Sequence, residues 1–244
     1  MIAAISRAYF KKTTQSTSHA MIIAIAVFVN IAVWFIEQMV SIEFEMLSIS
    51  YIISELFLLS IHHIVTENRQ LKGIRKNLRF RKGVASDLER IMELVADAQN
   101  WFRGQNIDQW QDGYPTENVI SSDIQDNVNY IIEYNGVAVA TAVISFTGEP
   151  TYMEIEGKGW LNNNPYAVVH RIAVADRCRR KGIAKEILYY VEELCAERGV
   201  ADIRIDTHRD NAPMRSLLKK MGYTHCGRIT LISGAYREAY QKIL

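Results

Sequence analysis

The sequence predicts a mixed α/β domain whose sheet is largely antiparallel around a central parallel pair, preceded by an α-helical, membrane-spanning hairpin. Three observations carry this expectation. An apolar run, Ala167 to Val174, leads through a basic turn into an amphipathic helix, Ile183 to Arg198, and then into a second apolar run, Ile203 to Thr207. Strand, crossover helix and strand imply a parallel pair. Tyr130 to Tyr134, the turn Asn135-Gly136, and Val137 to Phe146 form a β-hairpin signal, so antiparallel pairing is expected elsewhere. Finally, no Lys or Arg occurs from Thr13 to Asn68, and two apolar stretches fill that interval.

Those two stretches define an expected region 1–76, with spans at about 20–40 and 46–66. Each approaches the roughly 20 residues that cross a bilayer. Arg7, Lys11 and Lys12 precede the first, and a basic run from Arg69 to Lys82 follows the second. That placement is the positive-inside pattern, with the remainder of the chain in the cytoplasm of a cell membrane. A buried helical hairpin in a soluble or oligomeric cytoplasmic protein is the other reading, which Glu55 in mid-span favours. The oligomeric state is open, a homodimer included.

From residue 77 to 244 the texture is ordinary α/β. Leu78 to Arg81 reads as a short strand. Ser86-Asp87-Leu88-Glu89 starts a helix that Leu88, Ile91, Met92, Leu94, Val95 and Ala98 continue. Turn formers and aromatics from Trp101 to Pro115 read as a loop, and Glu117 to Gln125 as a second helix. After the irregular stretch Gly148 to Pro165 comes the strand–helix–strand unit. Gly199 stops its helix. Pro213 to Lys220 is a short helix, Tyr223 onward a strand, and Tyr236 to Leu244 the last strand.

Composition excludes some functions. A net charge of +1 exerts no global pull on nucleic acid, and the basic run lacks aromatic interleaving, so no nucleic-acid partner is expected. Cys178, Cys195 and Cys226 show no C-x-x-C spacing, so neither a disulfide framework nor a metal site is indicated. Nucleotide-binding loops of the G-x-x-x-x-G-K-[ST] kind are missing.

The informative segment is Arg179-Arg180-Lys181-Gly182-Ile183-Ala184, between the strand and the amphipathic helix. A turn there presents backbone N–H groups at a helix N-terminus beside positive side chains, which suits a pyrophosphate. Gly182 allows close backbone approach, and Ala184 keeps the adjoining helix face small.

Arg179-x-x-Gly182-x-Ala184, preceded by Ile172-Ala173-Val174, resembles the R/Q-x-x-G-x-G/A fingerprint of the GNAT acyltransferase superfamily. Asn211 through Leu217, with Lys220, Gly222 and Tyr223, is similar to a second pattern of that family. The resemblance covers residues 77 to 244 and implies an N-acetyltransferase with acetyl-CoA as donor. It implies pyrophosphate on the amides around Arg180, Lys181, Gly182, Ile183 and Ala184, pantetheine along Ile172 to Val174, and Asn211 on the pantetheine arm. It also implies direct attack of a small-molecule or peptide primary amine on the thioester.

One departure concerns proton transfer. The family's usual tyrosine acid aligns with Leu218, which has no proton to give, and Met214 replaces an alanine in the same motif. Tyr236 and Tyr240 are the substitute acids to consider, and Glu133, His170, Asp206 and His208 the candidate bases. The alternative reading is a catalytically weak acyl-CoA-binding sensor at the membrane.

Overall fold

The computed structural model describes residues 28–36, 52–62 and 75–244. The chain divides into two compact units, Met1–Gln70 and Leu71–Leu244. In the first, residues 28–36 and 52–62 are helical, and the Asn30 amide donates to the Ser54 hydroxyl, linking them. Phe28, Ile31, Trp34 and Phe35 on one segment, and Leu56, Phe57, Leu58 and Leu59 on the other, are exposed. Among the described residues no helix is long and apolar enough to cross a membrane. The rest of the spans expected at about 20–40 and 46–66 lies outside the described residues.

The second unit begins ahead of residue 77, because Arg75 pairs with Glu186 and Glu193 of the helix after the basic turn. Its strands are β1 (Leu78–Lys82), β2 (Asn129–Tyr134), β3 (Val137–Ser145), β4 (Glu156–Gly157), β5 (Tyr166–Val174), β6 (Asp202–Thr207), β7 (Thr224–Thr230) and β8 (Tyr236–Ile243). The helices are α1 (Leu88–Gly104), α2 (Glu117–Gln125), α3 (Ile183–Arg198) and α4 (Ala212–Lys220). Among the described residues one sheet of order β1-β2-β3-β5-β6-β8-β7-β4 holds every strand, and only β5 and β6 pair in parallel.

Two expectations need correction. The segment from Trp101 is not all loop: α1 runs on to Gly104, since Phe102 extends the buried stripe of Leu94, Val95 and Ala98. The stretch from Gly148 to Pro165 is also less irregular than its composition suggests. Pro150–Tyr152 forms a 3-10 turn and β4 pairs with the end of β7.

The core lies on both faces of the sheet. Ile183 and Ile187 of α3 pack with Ala140, Ala142 and Ala173, while Leu188 and Val191 pack with Val169, Ile203, Leu218 and Tyr240. Burying such side chains contributes roughly 1.5–3 kcal/mol each. On the other face Tyr152, Val168, Ile229 and Ala239 form a smaller cluster, with Trp160 and Tyr166 against it. Arg204 is held there between the Trp160 and Tyr166 rings, 4.3 and 3.9 Å from their centroids.

The parallel pairing is short. Tyr166 to Val169 face Asp202 to Ile205, and no pair follows Val169↔Ile205. Beyond it β5 stays with β3 through Val174↔Ala140, while β6 stays with β8 through Thr207↔Glu238. An extra residue in β5 accompanies the divergence: His170↔Val143 and Ala173↔Thr141 enclose Arg171, whose φ is +52°. This is a β-bulge, and it re-aims the side chains beside it.

Gly227 has φ +145°, and a Cβ there would lie 2.0 Å from the Glu156 carbonyl oxygen. Gly227→Ala is therefore expected to cost about 2–3 kcal/mol through strain and clash with β4. A thermal melt reads this directly, and an unchanged melting temperature would contradict the β4–β7 pairing.

Candidate active site

Where β5 and β6 part, the β6-facing edge of β5 from His170 to Val174 has no strand partner, so its backbone groups open onto a cleft. The basic turn closes one end. Arg180 and Gly182 adopt left-handed backbone, with φ of 59° and 82°. Gly182 is the N-cap of α3 and no side chain caps this end. The first amide bonded back to the cap is that of Glu186, to the Gly182 carbonyl at 3.1 Å. The amides of Ile183, Ala184 and Lys185 are thus left as donors for an anion, as expected at an uncapped helix start.

The predicted cofactor residues divide by role. Arg180 and Lys181 are exposed beside the cradle. Arg179 instead braces the turn, its guanidinium reaching the Asp97 carbonyl (2.9 Å) and Asp176 (3.0 Å) and lying over the Trp101 ring. Ile172 and Val174 are half-buried, and Ala173 is in the core. Asn211 caps α4 by accepting from the Met214 amide (3.2 Å), and its side-chain amide donates to Gln109 (2.9 Å). Trp110 and Ile107 are buried against Phe102, so the loop that carries Gln109 is anchored to the core by its apolar residues.

The first residues past the last β5–β6 pair, His170 and Asp206, meet across the split. His170 lies between two carboxylates, with Nε2 3.1 Å from Glu149 and Nδ1 3.4 Å from Asp206. Asp206 also accepts from the Tyr152 hydroxyl at 2.7 Å. Glu149 is held by the amide and hydroxyl of Thr151 as well. Burial opposes a charge on His170, but Asp206 and Glu149 prevail and push its pKa up to about 9. The His170 hydrogen bond holds Glu149 down to about 2, against its partial burial. Burial works against the Asp206 charge too, yet His170 and Tyr152 keep its carboxyl below the usual range. At neutral pH the group is therefore an imidazolium between two carboxylates.

Beside it, Arg171 forms a two-pronged ion pair with the buried Asp123 (2.6 and 2.8 Å) and donates to the Tyr114 hydroxyl. This fixes α2 and the loop before it onto the bulge. Glu149, Tyr152, Arg171 and Tyr114 were not singled out by sequence. Glu149 and Tyr152 sit in an aperiodic stretch, and the one local signal is Glu149-Pro150 at the start of a turn.

Other sequence candidates stand elsewhere. Glu133 is two strands from β5 and is taken by Arg81 at 2.6 Å, which also chelates Asp87. Tyr236 is exposed with its ring near Arg228, and alternation puts it on the same face as Tyr240, opposite His170. Tyr240 is buried and its hydroxyl accepts from Arg215. His208 accepts at Nδ1 from the Asp210 amide, and burial with Arg237 lowers its pKa. Leu218 is fully buried among Leu188, Val191 and Tyr223, so its position in the motif faces the core. Cys178 is likewise a core residue.

The split parallel pair thus has an uncapped helix start beside it, a groove with an anion cradle at one end. The chain matches the acetyltransferase (GNAT) family over residues 95–223. A GNAT-family acetyltransferase from Streptococcus agalactiae 2603 is 32% identical, covering 68% of this chain and 95% of its own, with a TM-score of 0.62. One from Listeria monocytogenes 4b F2365 shares the fold at 22% identity and TM-score 0.55, covering 68% of this chain and 95% of its own. The PaiA N-acetyltransferase of Thermoplasma acidophilum, solved with coenzyme A, does so at 16% identity and TM-score 0.51, covering 68% and 99%. No curated protein matches. The protein belongs to the GNAT acetyltransferase family: it is an N-acetyltransferase, and acetyl-CoA is its acyl donor.

His170 also makes folding pH-dependent. Its folded pKa lies above the ordinary 6.5, so its contribution is complete below pH 6.5 and is lost as the pH rises through about 9. The melting temperature should fall across that window, and the slope should flatten in His170→Gln. Equal slopes in the two proteins would refute the assignment.

Proposed function

We propose that the protein transfers the acetyl group of acetyl-CoA to a primary amine by direct attack in a ternary complex, at a membrane, with the catalytic unit on the cytoplasmic side. The observation that carries the amine acceptor is the Glu149–His170–Asp206 cluster at the mouth of the β5–β6 split. Its two carboxylates outnumber the imidazolium, which favours an incoming ammonium.

The amine nitrogen bonds to the thioester carbon as the carbon–sulfur bond breaks. The ammonium releases two protons in all: one ends on the departing thiolate and the other in solvent. His170 in its neutral form is the proton acceptor, with Glu149 and Asp206 orienting its ring and stabilising the imidazolium that results. Donor binding falls to the amides from Ile183 to Lys185, the exposed Arg180 and Lys181, and the open edge of β5. A pantetheine group bonded to the Asn211 side-chain amide takes the place of the Gln109 side-chain oxygen Oε1. The exposed apolar residues of 28–36 and 52–62, with the basic run that follows, support a bilayer as the partner of the N-terminal unit.

Two measurements test this. His170→Gln should lower kcat about 100-fold or more while acetyl-CoA affinity holds. The wild-type rate should climb with pH toward about 9, the value at which His170 loses its proton. Survival of that alkaline limb in His170→Gln would remove His170 from the proton path. Exchanging Arg180 and Lys181 for Glu should weaken acetyl-CoA binding about 10-fold by calorimetry, more at low salt than at high. For the membrane, fractionation of the chain with and without residues 1–70 is decisive: equal recovery in the soluble fraction would refute the tether.

A further inference from the structure

We infer that the acceptor is an amino acid, with its amine at the Glu149–His170–Asp206 cluster and its carboxylate on Arg237. This rests on the acetyl-transfer reading above and narrows its substrate. Side chains alternate along β8, so Arg237 shares a face with Ala239. Ala239 packs with Tyr152, Val168 and Ile229, on the face that carries His170 and Asp206. Asp206 pairs with Ala239 across the β6–β8 ladder, which makes Arg237 its diagonal neighbour on that face. Such positions lie about 7–8 Å apart. The charge of Arg237 acts on both Asp206 and His208, which places it at the same end of the split.

Arg237 is half-buried, yet no carboxylate forms an ion pair with it among the described residues. Its one hydrogen bond donates to the Tyr236 carbonyl at 3.0 Å. The other arginines of this region are engaged: Arg171 by Asp123 and Tyr114, and Arg204 by two rings and the Asn162 carbonyl. Asp206 is drawn the other way, its Oδ1 shared by Tyr152 and His170. Arg237 therefore keeps a planar fork of donors at the site, the geometry that takes a carboxylate on two parallel hydrogen bonds.

Charge balance supports the same conclusion. Two carboxylates against one imidazolium leave one negative charge at the cluster, and Arg237 adds one positive charge a side chain away. An amino acid cancels both. A simple amine or polyamine would leave the half-buried guanidinium without a partner, whereas an amino acid supplies one. The short spacing between the two poles suits amine and carboxylate on one small molecule.

The test uses the full-length protein, acetyl-CoA, and the proteinogenic amino acids, each beside its decarboxylated amine: phenylalanine with phenethylamine, lysine with cadaverine, and so on. At least one amino acid should show a kcat/KM about 100-fold above that of its decarboxylated partner. Arg237→Gln should erase that preference, mainly by raising KM for the amino acid far more than for its decarboxylated partner, with acetyl-CoA affinity unchanged, and Arg237→Lys should restore part of it. If decarboxylated amines are used as well as or better than amino acids, or Arg237→Gln lowers both alike, the inference fails and acetyl transfer to amines stands. If no amine of either kind is acetylated while acetyl-CoA binds, the acetyl-transfer reading fails and takes this one with it.

Discussion

The site depends on the end of one parallel ladder. Four residues of β5 pair with four of β6, from Tyr166↔Asp202 to Val169↔Ile205, and then the strands part. A backbone edge left open inside a sheet is costly unless something fills it. Here the open edge is where an extended, amide-containing cofactor can lie. On both strands the next residue is titratable, and the contact between His170 and Asp206 spans the gap at its apex. The bulge at Arg171 aims its own side chain at α2 and the loop before it, where Asp123 and Tyr114 clamp it. One departure from regular pairing thus supplies an open strand edge, a charged cluster and an anchor for α2 and the loop before it.

The uncapped helix start was legible in the sequence because its geometry is local. An uncapped helix start needs a strand, a short basic turn with glycine, and an amphipathic helix, all within Ala167 to Arg198. The acceptor half was legible only in fragments. His170 and Asp206 stand out as single titratable residues, but Glu149 and Tyr152 come from one turn after β3 and Arg237 from the last strand, and nothing in the spacing of that turn from either strand announces a meeting. Strand alternation also sent Tyr236 to the face opposite His170, which needs the register of β8 against β6 rather than its sequence. Likewise, Glu133 looks free in a strand until Arg81 is seen to hold it.

Electrostatics explains why the cluster tolerates burial. An isolated His170 in that position would be neutral, and an isolated Asp206 would be protonated. Together with Glu149 and Tyr152 they retain charge, because each polar atom satisfies another and the desolvation cost is shared across the set. The arrangement keeps the site net negative at physiological pH without exposing it.

Trp160 gives this chemistry an optical outlet. Its indole N–H donates to the Tyr152 carbonyl at 2.8 Å, its ring lies under the Arg204 guanidinium, and the Tyr152 hydroxyl ends on Asp206. Changes of charge or occupancy at the cluster thus reach a fluorophore through a single tyrosine. Of the other tryptophans on this unit, Trp101 sits by Arg179 at the basic turn and Trp110 is buried against Phe102. The protein thus carries one indole beside the basic turn and another one tyrosine away from the His170 cluster, so that steady-state emission of single-tryptophan variants can follow events at the two places separately.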